Sequence, residues 1–141
     1  MEDRVILRIG AKILIPFILM FALYVQFHGD YGPGGGFQAG VIFAAAFILY
    51  ALIYGLDTAK RVLPLGFVWF CGAAGVWIYA GVGVATLFMG GDFLDYGVLR
   101  HDPEHGQELG ILLVELGVLT TVFGVMVAIF YAFAGRRQVR P

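Results

Sequence analysis

The sequence predicts an all-α integral membrane protein with four transmembrane helices and with both termini in the cytoplasm. Of its 141 residues, 60% are hydrophobic and only 13% are charged, whereas charged residues make up about 25% of an ordinary soluble domain. The mean hydropathy is +0.87. Four apolar segments are long enough to cross the hydrocarbon core of a bilayer, which takes about 20 helical residues.

We predict a single membrane domain that covers residues 1–141. Its helices are predicted at about residues 5–27, 37–56, 63–89 and 109–133, with outer loops at 28–36 and 90–108. Asp102 followed by Pro103 is typical of a helix N-cap and a first helical residue. A basic stretch before the first apolar run is also typical of a signal peptide. Because no small-residue cleavage site follows it, we expect a retained helix.

The basic residues predict the orientation. Only Arg100 falls on the predicted outer side, and the positive-inside rule therefore places both termini in the cytoplasm. The other eight are Arg4, Arg8, Lys12, Lys60, Arg61, Arg136, Arg137 and Arg140. A net charge of -1 with scattered basic residues argues against a nucleic-acid partner. The single cysteine, Cys71, allows neither an internal disulfide nor a zinc-finger site.

The segment HGDYGPGGGFQAG, residues 28–40, separates the first two helices, and we call it the glycine-rich joint. Its glycines and its proline encode a specific loop shape, and the small residues that follow allow the second helix to approach a neighbour closely. We interpret the joint as a docking element for other subunits, and we expect Gln38 to form a hydrogen bond between helices. The docking candidates are His28, Pro33, Gly34, Gly35, Gly36, Phe37, Gln38 and Gly40.

Glu115 stands out in the fourth predicted helix, about six residues or 9 Å below its outer end. An ionisable group at membrane depth costs about 3 kcal/mol or more, so it should face protein or a water-filled cavity. Glu108 lies on the same face, about 10 Å further out, and Asp30 belongs to the acidic outer surface. These three carboxylates are candidates for an ion pathway. The alternative is that Glu115 only forms a hydrogen bond to a neighbouring subunit.

Gly110, Gly117 and Gly124 form a stripe along the same helix, about 140–160° away from Glu115. In lipid, close backbone approach is a main source of helix association, so we expect the stripe to be a packing face. The chain has 21 glycines, which suggests more contact surface than a four-helix unit needs. We therefore expect partner subunits in the membrane, in addition to lipid.

We predict neither a cofactor nor a metal. His101 and His105 have the i, i+4 spacing of a metal pair, but no third ligand follows at a telling spacing. The glycine-rich joint lacks the Lys and the Ser or Thr of a phosphate-binding loop, and no predicted strand precedes it.

The joint, read as His28 to Gly40 with PGGGF at its centre, resembles the MnhB/MrpB family, the small B-type components of multisubunit Mrp-type sodium/proton antiporters. This chain has Asp30 and Ala39 where the family has Asn and Gly. The likeness extends over nearly the whole chain, including the acid in the fourth helix.

The resemblance implies an accessory, assembly-stabilising subunit in the bacterial inner membrane, a transporter component rather than an enzyme. Its partners would be other antiporter subunits, including large ones similar to those of complex I, and its ions Na+ and H+. We expect no complete pump here, since the predicted spans carry one deep acid and no deeply placed Lys. Two alternatives are a structural subunit of a hydrogenase-like or complex I-related redox complex, and a stand-alone small multidrug-type exporter.

Overall fold

A computed structural model describes residues 2–29 and 32–136. Its elements are α1 (Glu2–His28), α2 (Gly36–Tyr54), α3 (Leu56–Val62), α4 (Leu65–Phe88), a 3₁₀ turn (Tyr96–Leu99) and α5 (Pro103–Arg136). Within these residues no strand is present, and α1, α2, α4 and α5 are long and apolar enough to cross a membrane. The prediction of an all-α membrane protein with four spans is therefore confirmed, while the side on which each terminus lies stays a prediction.

Two helix boundaries differ from the sequence-based positions. The second span ends at Tyr54, because Gly55 has a φ of 95°, which favours glycine and stops the helix before the short α3 begins. The last helix begins at Pro103 rather than near residue 109. Asp102 accepts a hydrogen bond from the Glu104 backbone N–H at 3.2 Å, so the helix start expected at Asp102 and Pro103 is confirmed.

The four long helices form an open row in the order α1, α2, α5, α4. Each helix packs mainly on its immediate neighbours in the row, and neither α1 nor α2 has an extensive contact with α4. Phe43 of α2 packs edge-on against Phe123 of α5 at 5.3 Å, while the start of α2 lies against Glu115, so α2 and α5 run in parallel. The chain is thus one helix thick, with α5 near its centre.

The contact between α4 and α5 is made backbone to backbone. A β-carbon at Gly124 would lie 2.6 Å from the Gly72 nitrogen, and one at Gly117 would lie 2.9 Å from the Gly75 carbonyl oxygen. The Thr121 hydroxyl also donates to the Gly72 carbonyl at 3.3 Å. Glycine is required on both helices because only it allows axes in a membrane to come this close.

The segment after α4 folds back onto the N-terminal part of α5. Leu94 donates its backbone N–H to the buried Thr86 hydroxyl at 3.0 Å, and the Tyr96 ring packs on Gly110. Burial raises the pKa of the Tyr96 phenol, and the nearby Tyr79 adds to the rise. This segment therefore covers one face of the first turns of α5, at Gly106 and Gly110, and Gly110 contacts the 3₁₀ turn rather than a long helix.

Other glycines of the long helices have open space. A β-carbon at Gly10, Gly66 or Gly81 would meet no atom within 4 Å. These three positions lie on faces that the described part of the chain leaves uncovered.

Candidate functional site

The glycine-rich joint holds the ends of α1 and α2 together through backbone contacts. Gly35 has a φ of 141°, a conformation that side-chain-bearing residues rarely adopt, and its carbonyl accepts the first hydrogen bond of α2, from Ala39 at 3.0 Å. A β-carbon at Gly34 would lie 2.7 Å from the Val25 carbonyl oxygen of α1. The loop is therefore closed tightly. Asp30, an ion-pathway candidate within it, lies outside the described residues.

The same joint also seats the start of α2 on α5. A β-carbon at Gly36 would overlap the Glu115 carbonyl oxygen and lie 3.0 Å from its carbonyl carbon. One turn further along α2, a β-carbon at Gly40 would lie 2.8 Å from the Leu119 carbonyl oxygen. Two glycines thus bring the backbone of α2 against the backbone of α5 at the level of Glu115.

The Glu115 side chain reaches from α5 toward the ends of α1 and α2. Its Oε2 accepts a hydrogen bond from Gln26 Nε2 of α1 at 3.4 Å. Its Oε1 lies 3.6 Å from the point where a β-carbon of Gly35 would be. Glu115 is half-buried, whereas Gln26 is only 1% exposed. Three helices therefore meet around this carboxylate.

The carboxylate also faces the start of α2, which has no acidic residue in its first turn and no side-chain cap. The N-terminus of a helix carries a partial positive charge and free backbone N–H groups, which attract an anion. Glu115 supplies the negative charge that the sequence of α2 itself lacks.

The level of Glu115 differs from the one predicted for it. We expected it about 9 Å below the outer end of its helix, but α5 extends 12 residues beyond it to Pro103, which is about 18 Å at 1.5 Å per residue. Its level is instead that of Gly36 and Gln26, at the ends of α2 and α1. The joint therefore lies below the level of the N-terminal end of α5, on the side predicted to be the outer one.

Gln26 is the site residue that sequence analysis missed. Its side-chain oxygen, Oε1, is buried and has no hydrogen-bond partner within residues 2–29 and 32–136. A buried amide oxygen without a partner is costly, and such groups are rare in native proteins. The signal in the sequence was a glutamine inside the otherwise apolar run at the end of α1, since an amide within a membrane span is itself a polar anomaly.

Of the other docking candidates in the joint, His28 is half-buried, whereas Pro33, Phe37 and Gln38 form an exposed rim. The His28 ring stacks on Tyr24 with centroids 5.0 Å apart. Pro33 is exposed, and so is Phe37, at 61%. Gln38 is exposed as well and takes part in none of the side-chain hydrogen bonds between the described helices. The bond between helices that we expected from Gln38 is made by Gln26 instead.

Glu108 is exposed on the N-terminal part of α5, two turns before Glu115. It lines an open groove together with Phe27 of α1, Leu112, and the side chains of Arg100 and His105. Because Phe27 adjoins Gln26 in the chain and Leu112 lies one turn before Glu115, the groove ends close to the level of the half-buried Glu115 carboxylate.

No metal cluster is present in the part of the chain that the structure describes, since no three His, Cys, Asp or Glu side chains come together there. His105, part of the histidine pair considered above, instead lies 2.7 Å from Asp102 through its Nδ1. Both side chains are more than half exposed, so this ion pair contributes little to stability.

Comparison with known proteins gives a consistent family match. Residues 6–128 match a family described as a domain related to the MnhB subunit of Na+/H+ antiporter. The chain is 38% identical over 122 residues to a Staphylococcus haemolyticus protein named "Putative antiporter subunit mnhB2", an alignment that covers 79% of this chain and 86% of the relative. It is 33% identical over 94 residues to the B-type component of the Na(+)/H(+) antiporter of Bacillus subtilis, covering 67% of this chain and 65% of that protein. A Staphylococcus aureus (strain Newman) protein with the same name as the first relative is 41% identical over 66 residues, 47% of each chain.

Proposed function

Since the chain belongs to the family of the MnhB subunit of Na+/H+ antiporters, we propose that it is an accessory, assembly-stabilising subunit of a multisubunit sodium/proton antiporter in the bacterial cytoplasmic membrane. The observation that carries the accessory role is the open row of four helices. A row one helix thick encloses no pathway of its own, and both of its faces must be covered by lipid or by other subunits. Large antiporter-like subunits are the partners we propose for part of that surface.

The exposed rim of the glycine-rich joint is the proposed docking element. Phe37 is 61% exposed, yet it directly follows Gly36, whose backbone is fixed against Glu115. A large aromatic side chain on a rigid base loses little conformational entropy on binding, which makes it a good anchor for a partner. Pro33 adds a second exposed apolar surface of fixed backbone conformation.

Glu115 is the proposed contribution of this chain to an ion route. A carboxylate level with the recessed joint can exchange ions with the outer solution through the groove that contains Glu108. We propose that a partner subunit completes the route by covering the exposed part of Glu115, which is only half-buried.

Affinity purification of the tagged chain in mild detergent tests the subunit role. We expect the other antiporter subunits to co-purify, and we expect membrane vesicles from cells that lack the chain to lose Na+-driven proton movement. Purification of the chain alone, together with normal exchange in its absence, would contradict the proposal.

The docking role has a matched control within the chain. Phe17, in the middle of α1, has the same exposed fraction as Phe37, 61%. We expect Phe37→Ala to reduce co-purification of partner subunits severalfold and Phe17→Ala to leave it nearly unchanged, because a few central aromatic anchors dominate most interfaces. Equal effects of the two substitutions would show that exposed aromatic area in general, rather than the joint, determines assembly.

A further inference from the structure

We propose that Gln26 and Glu115 together form a binding site for one dehydrated Na+ ion, with the Gln26 side-chain oxygen and the Glu115 carboxylate as ligands from this chain. The proposal deepens the function proposed above and rests on it for the identity of the ion. It assigns to Gln26 a role in selecting and holding the transported cation, rather than a role in packing.

The orphaned oxygen of Gln26 is the first feature that points to an ion. Gln26 is 1% exposed, and its Oε1 has no hydrogen-bond partner within the described residues. The amide that carries this oxygen lies beside the carboxylate, because its Nε2 donates to Glu115 Oε2 at 3.4 Å. A buried acceptor without a donor leaves its desolvation uncompensated, and a cation bound next to the carboxylate would supply the missing partner.

The amide group of Gln26 and the carboxylate offer hard oxygen ligands, which suit alkali and alkaline-earth cations rather than transition metals.

Further oxygen lies nearby. The Oε1 of Gln38 lies 3.4 Å, and the Oε1 of Glu115 3.6 Å, from the same point above Gly35, where a β-carbon would be. Gln38 is exposed at the edge of the cluster. Its oxygen is therefore a third candidate ligand, at the exposed edge of the cluster.

Carbodiimide labelling of Glu115 in the purified complex, read by mass spectrometry of the peptide, tests the site directly. A carbodiimide reacts with a protonated carboxyl group that is accessible in a membrane, so a bound Na+ ion should slow the reaction. We expect Na+ to protect Glu115 in a concentration-dependent way, while K+ and Mg2+ protect far less. Labelling that is independent of Na+, or equal protection by K+, would overturn the assignment.

The informative variant is Gln26→Met, which keeps the length and flexibility of the side chain and replaces the hard oxygen by a soft thioether. We expect about tenfold more Na+ to be needed for protection and for half-maximal exchange, with little change in the maximal rate. Thr120→Val is the control, because it removes a polar group from α5 whose hydroxyl bonds only within the helix, to the Leu116 carbonyl at 2.7 Å. It should leave the Na+ dependence unchanged.

These measurements separate the site from the subunit role. A Gln26→Met complex that assembles, exchanges ions and shows an unaltered Na+ dependence overturns the site and leaves the subunit role standing. If Gln26→Met does not assemble, the Na+ protection of Glu115 in the unmodified complex still decides the question. Failure of the chain to associate with antiporter subunits removes the subunit role, whereas Na+ protection of Glu115 on the purified chain would still support the site.

Discussion

Replacing Gly36 by alanine should separate α2 from α5 at the level of Glu115. The nearest atoms to the new β-carbon all belong to the Glu115 backbone, namely its carbonyl oxygen, its carbonyl carbon at 3.0 Å and its α-carbon at 3.1 Å. Carbon atoms pack best about 3.5–4.0 Å apart, so the two helices must move apart by at least about 0.5 Å. Backbone atoms in a packed helix cannot rotate away as a side chain would.

The expected loss of stability follows from that geometry. Overpacking of a tight contact costs about 1–3 kcal/mol, and the better helix propensity of alanine returns at most about 1 kcal/mol. A net loss of about 1–2 kcal/mol corresponds to roughly a five- to thirtyfold smaller folding equilibrium constant. The loss should also weaken the contact of Gly40 with α5, because both glycines lie on the same face of α2.

Unfolding of the purified chain in mixed micelles by added SDS, followed by the fluorescence of Trp69 and Trp77, measures this difference. Gly81→Ala is the matched control, since a β-carbon there meets no atom within 4 Å. We expect it to be neutral or slightly stabilising. If Gly36→Ala unfolds at the same SDS fraction as Gly81→Ala, the close backbone contact at Glu115 does not exist as described.

Three further predictions address charge, orientation and pH. Glu115→Gln keeps the shape of the side chain and removes its charge. If Glu115 belongs to an ion route, this substitution should abolish or alter Na+/H+ exchange without affecting assembly of the complex. Normal exchange with a normal apparent ion affinity would instead show that the residue is structural. In a Cys71→Ala background, Lys60→Cys should react with a membrane-impermeant thiol reagent only from the cytoplasmic side and Glu104→Cys only from the outside; the reverse pattern would contradict the positive-inside assignment. Because burial raises the pKa of Tyr96, the folded state favours the neutral phenol. The contribution of Tyr96 to the free energy of unfolding should therefore be complete below about pH 10, the ordinary pKa of a phenol, and should be lost as the pH rises further. A phenolate absorbance titration that is the same in the folded and unfolded chain would refute this.

Composition and hydrophobic length were sufficient to predict the fold class. Four apolar stretches and few charges leave only a helical solution, because backbone polar groups in lipid must be satisfied within each segment. The resemblance carried by the PGGGF segment also predicted the family correctly. The start of α5 could be predicted from the chemistry of Asp102 and Pro103, but not from hydropathy, because polar residues continue this helix beyond its apolar stretch.

The order of the helices in the row could not be predicted from the sequence. Glycine stripes occur on several spans, and periodicity identifies a contact face without naming its partner. The level of Glu115 was also inaccessible, because it depends on how far α5 extends beyond the joint. Gln26 was overlooked because a single amide in an apolar run has no periodic pattern, and its significance appears only when Glu115 is seen beside it.

Because the four long helices form an open row, the molecule has two broad faces, one on each side of the row. Gly117 and Gly124 bring α5 against α4, while Gly36 and Gly40 bring it against α2. At these positions main chain lies against main chain, which leaves no space there for a hydrated ion between the helices. Ions that cross the membrane beside this chain therefore have to move along one face of the row of helices, between this chain and a neighbouring subunit. Substitutions that separate the helices at these glycines should therefore allow ions to leak between the helices before they cause the chain to unfold.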